Sequence, residues 1–288
     1  MGNRLQDKVV LITGAGSVGP GWGNGKAAAV LFAREGARVF AVDRDERAVA
    51  ETQRIIAGEG GVCVPFTADV SSTSDVEAMT VACLRRFGGI DVLHNNVGVG
   101  FVSGLLDTAE PDWERALRVN VTSMFLTCRT IVPHMIEAYR RDGRIRSIIN
   151  VGAVAGRRWT GVPMLAYATS KGAIEPFTRS VALEFARAGI RCNCVLPGLM
   201  NTPFIVAPMQ EAYGGGDVDR MIAVRDEQSP TGQMGTGWDV AHAALFLAGD
   251  ESNFVNGHAL VVDGGQSAQT WSPARPLDAG RAATVHPQ

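Results

Sequence analysis

The chain has 288 residues, a net charge of −2 and a sequence pI near 6.2. That length can bury a large core within one α/β unit, and the near-neutral balance points away from nucleic acid and anionic membrane surfaces. Five cysteines, odd in number and without a CxxC pair, read as free thiols buried in a reducing compartment. MGNRLQDK carries no apolar leader and no run of about 18 apolar residues follows, so a cytoplasmic protein without a membrane span is expected.

In chain order, Lys8–Thr13 (KVVLIT) is a short apolar run suited to a strand buried on both faces. A glycine-rich loop follows from Gly14 to Gly25, and helical periodicity runs from Asn24 to Arg34. Ala37–Asp43 is a second strand ending in an acid. Strand, glycine loop, helix, strand, acid is the order that binds a dinucleotide. The glycines let the backbone approach a pyrophosphate, and the helix N-terminus presents N–H groups to it. Asp43 is placed to accept from both ribose hydroxyls of an adenosine and to repel a 2′-phosphate, which favours NAD over NADP. Arg44, the next residue, weighs the other way, because it can pair with a 2′-phosphate, stack on adenine or face solvent.

Asp45–Ala57 reads as a helix and Val62–Phe66 as a strand closed by Asp69. Ser72 or Ser74 starts a helix that runs to about Arg86. Ile90–His94 is a strand ending at Asn95-Asn96-Val97-Gly98, where side-chain amides suit a cofactor or the neighbouring strand ends. Phe101–Asp107 reads as a loop. Pro111 opens a helix to about Tyr139, with Asn120 in its apolar middle, where an unpaired amide is costly. Ile145–Val151 is a strand running into Gly152-Ala153-Val154-Ala155-Gly156. A helix from Pro163 to Ala188 carries Tyr167-Ala-Thr-Ser-Lys171, with a bend or a released Gly172 carbonyl expected at Pro176. Ile190–Leu196 is a strand ending at Pro197-Gly198. An irregular insertion over the site is expected for 203–237, then a helix Trp238–Ala248 and a strand His258–Val262. The tail from Ala268 is Pro- and Ala-rich and is expected to be loosely ordered.

Alternating strands and helices of this kind build a single Rossmann-type, doubly wound α/β unit (core about 7–267). Its parallel sheet has roughly seven strands, with helices on both faces. The carboxyl ends of the strands then furnish one crevice with Gly14, Asp43, Asp69, Asn96, Gly152 and Pro197. Residues four apart on a helix share a face, so Tyr167 and Lys171 stand side by side. The chain holds only three tyrosines, and its lysines are far outnumbered by arginines. A chance pair at that spacing is expected about 0.03 times. An ammonium beside a phenol favours the phenolate and lowers its pKa toward that of a usable base.

The motifs Thr13-Gly14 with its glycine loop, Asp69, NNVG at Asn95–Gly98, Asn120, YATSK and Pro197-Gly198 come in one order and spacing. They resemble those of the short-chain dehydrogenase/reductase family over Asp7 to Gly265. The resemblance implies hydride transfer between NAD and a secondary alcohol or ketone, in a homotetramer, with no metal. Tyr167 is then the general acid/base, Lys171 lowers its pKa and holds the nicotinamide ribose, and Asn120 holds a relay water. Cofactor contacts fall on Gly14, Ser17, Gly23, Asn24, Gly25, Asp43, Arg44, Asp69, Val70, Asn96, Val97, Gly98, Pro197, Gly198 and Thr202, besides Tyr167 and Lys171. Substrate contacts fall on Ala153, Trp159, Thr160, Met164, Leu199, Met200 and Phe204, with Phe101 beside them. Arg157 and Arg158 are candidates for attracting an acidic group.

Two departures from the family pattern stand out. Val18–Trp22 is inserted in the glycine loop, which shifts the phosphate contacts to Gly23–Gly25 and brings Trp22 toward the pyrophosphate. The position that usually carries the catalytic Ser is Ala153, and Thr160 is the nearest substitute hydroxyl. A catalytically impaired NAD-binding homologue, natural or engineered, and an NADP-dependent carbonyl reductase therefore stay open as alternatives.

Overall fold

A computed structural model describes residues 2–269, without the side chains at 207, 208, 210, 211, 213 and 214. Seven strands form one parallel sheet in the order β3-β2-β1-β4-β5-β6-β7. They are β1 Val9–Thr13, β2 Arg38–Asp43, β3 Val62–Thr67, β4 Val92–Asn95, β5 Arg146–Val151, β6 Ile190–Pro197 and β7 Ala259–Val262. The order reverses between β1 and β4, and a crevice opens there at the carboxyl ends.

The sheet is buried on both faces because its side chains alternate. Val10 and Ile12 of β1 join one apolar cluster with α1 (Asn24–Arg34) and α10 (Gly237–Ala248). Val9 and Leu11 join another with α3 (Thr73–Phe87), α5 (Ser123–Asp142) and α7 (Ile174–Phe185). Four of the five cysteines are buried and Cys63 is half-buried, all as thiols; burial pushes those of Cys63, Cys83 and Cys128 up to about 12.

Local signals set the helix starts. Asp45 caps α2 (Glu46–Gly58) by accepting from the N–H groups of Arg47 and Ala48, and Ser72 caps α3 by accepting from Asp75 N–H. The helix expected from Pro111 to Tyr139 is interrupted: α4 (Glu110–Leu117) passes through a π turn at Arg118–Thr122 into α5. Asn120 lies in that turn, fully buried. Such turns are rare and gather at functional sites. The helix expected over Pro163–Ala188 divides at Ala173 into α6 (Leu165–Gly172) and α7, three residues before Pro176. Proline cannot donate to the carbonyl four residues back, here that of Gly172.

Residues 203–237 are a correction. The irregular insertion expected there is instead two helices, α8 (Pro203–Gly214) and α9 (Val218–Gln228), with Asp217 capping α9. The expected tail lies outside the described residues from 270 onward.

Candidate active site

Every expected cofactor residue faces one crevice of about 1090 Å³, a volume that suits a dinucleotide with a small substrate. Gly14, Ser17, Gly23, Asn24 and Gly25 line its expected phosphate end, Asp43, Arg44, Asp69 and Val70 its expected adenosine end, and Asn96, Val97, Gly98, Tyr167, Lys171, Pro197, Gly198 and Thr202 its expected reacting end.

At the phosphate end α1 begins at Asn24, as the shifted loop alignment requires. A Cβ on Gly25 would fall 1.9 Å from the carbonyl oxygen of Gly14, so only glycine lets helix and loop close this far. Ser17 Oγ and Asn24 Oδ1 are buried there without a hydrogen-bond partner. Buried polar groups are normally satisfied, so these two suit the missing polar surface of a pyrophosphate. Asn96 Nδ2 donates to Gly14 O at 3.0 Å and ties the loop to β4. Trp22 does not reach this end. It packs on Trp238 of α10 with ring centroids 4.7 Å apart and stays off the crevice wall, which Val18 at the start of the insertion does line.

At the adenosine end Asp43 Oδ2 accepts from Gly16 N–H at 2.9 Å and Oδ1 from Asp45 N–H at 3.1 Å. Both bonds fix the carboxylate at the end of β2, where a ribose would meet it. Arg44 is exposed at the rim.

At the reacting end α6 carries the pair. Gly156 approaches Gly172 so closely that a Cβ on Gly156 would lie 2.5 Å from Gly172 N, and this seats α6 against the loop after β5. Lys171 Nζ donates to Val151 O at 2.8 Å and stands 5.9 Å from the centre of the Tyr167 ring. Burial lowers the Lys171 ammonium to about 8 and raises the Tyr167 phenol to about 12. Without cofactor, desolvation dominates, and the positive charge that opposes it comes from Arg225.

Asn120 is not at the crevice wall. Its Oδ1 accepts from Val99 N–H at 2.7 Å, and its Nδ2 donates to Val99 O and Ser170 Oγ, each at 2.9 Å. Its amide thus clamps the strand-end loop to the helix that bears Tyr167, a use the motif alone did not reveal. Asn95 joins β4 to β5 through Asn150 Oδ1 at 2.9 Å.

Of the expected substrate residues, Ala153, Thr160, Met164, Leu199, Met200 and Phe204 line the crevice. Trp159 does not: it is 73% exposed on the loop leading to α6. Phe101 is also off the crevice wall, beside Arg115. Arg157 is held by Glu175, with Nε–Oε1 at 2.5 Å and Nη2–Oε2 at 2.6 Å, and neither it nor Arg158 reaches the crevice. Residues not anticipated include Glu114, Arg115, Val162, Ile205, Met209, Arg225 and Gln266. The signal for α9 was present in the apolar spacing of Val218, Met221 and Ile222 behind Asp217, a usual capping residue. No group of three or more His, Cys, Asp or Glu side chains placed to hold a metal occurs among the described residues.

This fold and this crevice define a nicotinamide-dependent oxidoreductase. The family model described as enoyl-(acyl carrier protein) reductase matches residues 20–267. The chain is 34% identical to 2-(S)-hydroxypropyl-CoM dehydrogenase 3 of Xanthobacter autotrophicus over 93% of its own length and 100% of the relative. It is 35% identical to 3beta-hydroxysteroid dehydrogenase 1 of Eggerthella lenta, over 91% and 95%. A crystal structure from Burkholderia xenovorans, described as a short-chain dehydrogenase/reductase, superposes with a TM-score of 0.87 at 42% identity, covering 93% of this chain and 99% of that one. The chain belongs to the short-chain dehydrogenase/reductase family, and it is an oxidoreductase acting on a secondary alcohol or ketone.

Proposed function

We propose that the cofactor is NAD and that Tyr167 is the acid/base of the hydride transfer. The observation that carries this reading is the joining of Tyr167 and Lys171, in one crevice, to a nucleotide end closed by Asp43. A bound nicotinamide would supply the hydride acceptor for oxidation at the carbinol carbon and the hydride donor for reduction. Tyr167 takes the hydroxyl proton in the first direction and gives it back in the second. Lys171, anchored on Val151 O, stands beside the phenol as a cation and holds the ribose end of the nucleotide. Asn120 positions both through Val99 and Ser170. Turnover assays with NAD and NADP across a panel of secondary alcohols test the reading as a whole.

NAD is expected to bind at least about tenfold more tightly than NADP, because a fixed carboxylate accepts from ribose hydroxyls and repels a phosphate. Calorimetric titration measures both affinities, and Asp43→Ala should narrow the gap. Equal or tighter NADP binding by the unaltered protein would favour the NADP reading that Arg44 suggests.

The same proposal includes a cytoplasmic homotetramer. Among the described residues no helix is long and apolar enough to cross a membrane. Phe125 of α5 and Leu183 of α7 are 46% and 76% exposed. Large apolar side chains on two long neighbouring helices suit an isologous contact. Light scattering at micromolar concentration should give an oligomer mass, and a monomer would rule this out.

A further inference from the structure

The glycine loop leaves the crevice and comes back to it. Ser17 and Val18 line the crevice, as do Gly23 and Asn24, whereas Gly19, Pro20, Gly21 and Trp22 do not. The two ends of this excursion are pinched together: a Cβ on Gly23 would lie 3.6 Å from Ser17 Oγ. Gly21, at φ +110°, supplies a turn that other residues rarely adopt. Among the described residues, the backbone of 18–22 makes no hydrogen bond to other backbone, so regular structure does not fix it. Segments of that kind open easily unless side chains hold them.

Lys26 of α1 holds this one. Its ammonium donates to Gly21 O at 3.2 Å, pairs with Glu51 Oε1 of α2 at 2.6 Å and lies 5.1 Å from the centre of the Trp22 ring. The lysine is buried, at 3% exposure, while Glu51 is exposed on α2. A buried ammonium is costly unless paired, and a cation in the first turn of a helix opposes the helix dipole. Both costs are offset by the ties to the excursion and to α2. The next residue of α2, Thr52, donates to Ala15 O at 2.8 Å and fixes the arm that enters the excursion. On its far side the excursion rests on two further helices. Cβ atoms on Gly19 and Gly21 would lie 3.6 and 3.5 Å from Pro203, the first residue of α8, and one on Gly237 of α10 would lie 3.0 Å from Trp22 O.

We propose that Lys26 is a positioning residue for the cofactor's pyrophosphate. It locks the 18–22 excursion, so that Ser17 and Asn24, whose Oγ and Oδ1 are buried without a partner, stay in place around the phosphate site. Lys26 does not line the crevice and acts through the loop. The inference rests on the reading of the crevice as a dinucleotide site and holds for NAD and NADP alike.

The test uses the full-length protein and measures binding. NADH is titrated by its fluorescence (NADPH if that proves the cofactor), and ADP and adenosine are titrated by displacing it. ADP carries a pyrophosphate and adenosine does not. Lys26→Met should weaken NADH and ADP by about tenfold, the lower end of what a charge-assisted hydrogen bond contributes, and leave adenosine within about twofold. Lys26→Arg, which keeps a charge and donors, should restore part of the loss. Amide exchange over residues 14–25 should quicken in the Met variant before nucleotide is added. Glu51→Gln separates positioning from charge. It leaves the ammonium in place and removes the anion beside it, so a direct field effect would tighten ADP, whereas loss of the tie should weaken it by about threefold. Glu51 is exposed, so this arm stands even if Lys26→Met misfolds. Unchanged or tighter ADP binding in Glu51→Gln would overturn the assignment of Lys26. So would a Lys26→Met variant that binds ADP as before or loses adenosine equally. No binding of NADH, NADPH or ADP by the unaltered protein would overturn the dinucleotide reading itself.

Discussion

Tyr167→Phe should lower turnover by about 10³-fold or more while leaving NAD affinity nearly unchanged, since positioned general acid–base groups contribute about 10²–10⁴-fold. The substitution removes one hydroxyl and keeps the ring, whose nearest aromatic neighbour is Phe204 at 6.4 Å between centroids. Packing in the chamber is therefore preserved, and what is lost is the proton acceptor. The pH dependence carries a sign. In the free protein burial holds the phenol up to about 12, so neutral pH leaves it protonated and ready to donate. Ketone reduction should be favoured as pH falls, and alcohol oxidation should climb with pH as the phenol gives up its proton. Both limbs should vanish in the Phe variant. Calorimetry with NAD and steady-state rates in both directions check this. A Phe variant retaining more than a tenth of the original rate would remove Tyr167 from the mechanism.

The second large effect is expected at Ala153. This residue is extended, with φ −164° and ψ 151°, is 7% exposed and lines the crevice. A Cβ on its neighbour Gly152 would lie 2.4 Å from Leu196 Cδ2, so a side chain there would have to displace that buried leucine. Position 153 is therefore the one in this pair where a hydroxyl is accommodated more readily, in the crevice that Tyr167 also lines. Ala153→Ser should raise turnover by about 10–10³-fold with NAD affinity almost constant, in line with the worth of a single donor aimed at a developing charge. Thr160 lines the same crevice and is the competing donor. If it already serves, Ala153→Ser does little and Thr160→Val loses the rate instead. Unchanged rates in both variants would mean that neither hydroxyl holds the substrate oxygen.

The site was legible in the sequence where its chemistry is local. Tyr167 and Lys171 needed only a helix and a four-residue spacing. The start of α1 at Asn24 followed from the glycines, since the backbone cannot close on Gly14 with any larger residue at position 25. Asp43, Asn96 and Pro197 could be placed together because a parallel sheet brings its carboxyl ends to one edge, whatever the details of packing.

Assembly decided the rest. The π turn at Asn120 follows from the partners its amide finds on Val99 and Ser170, far from it in sequence. Trp159 and Trp22 were assigned to the site by residue type, yet one faces solvent and the other α10, because nothing in a tryptophan says which neighbour will bury it. The α8–α9 pair was missed in the segment 203–237, where Pro203 opens a helix and Gly214–Gly216 separate it from the next. With that helix pair went Arg225, whose position in the chamber depends on how α9 folds over the strand ends. The environment of Tyr167 belongs to the same class. A neighbouring lysine is visible in sequence, but the desolvation that raises the phenol and lowers the ammonium comes only with the closed pocket.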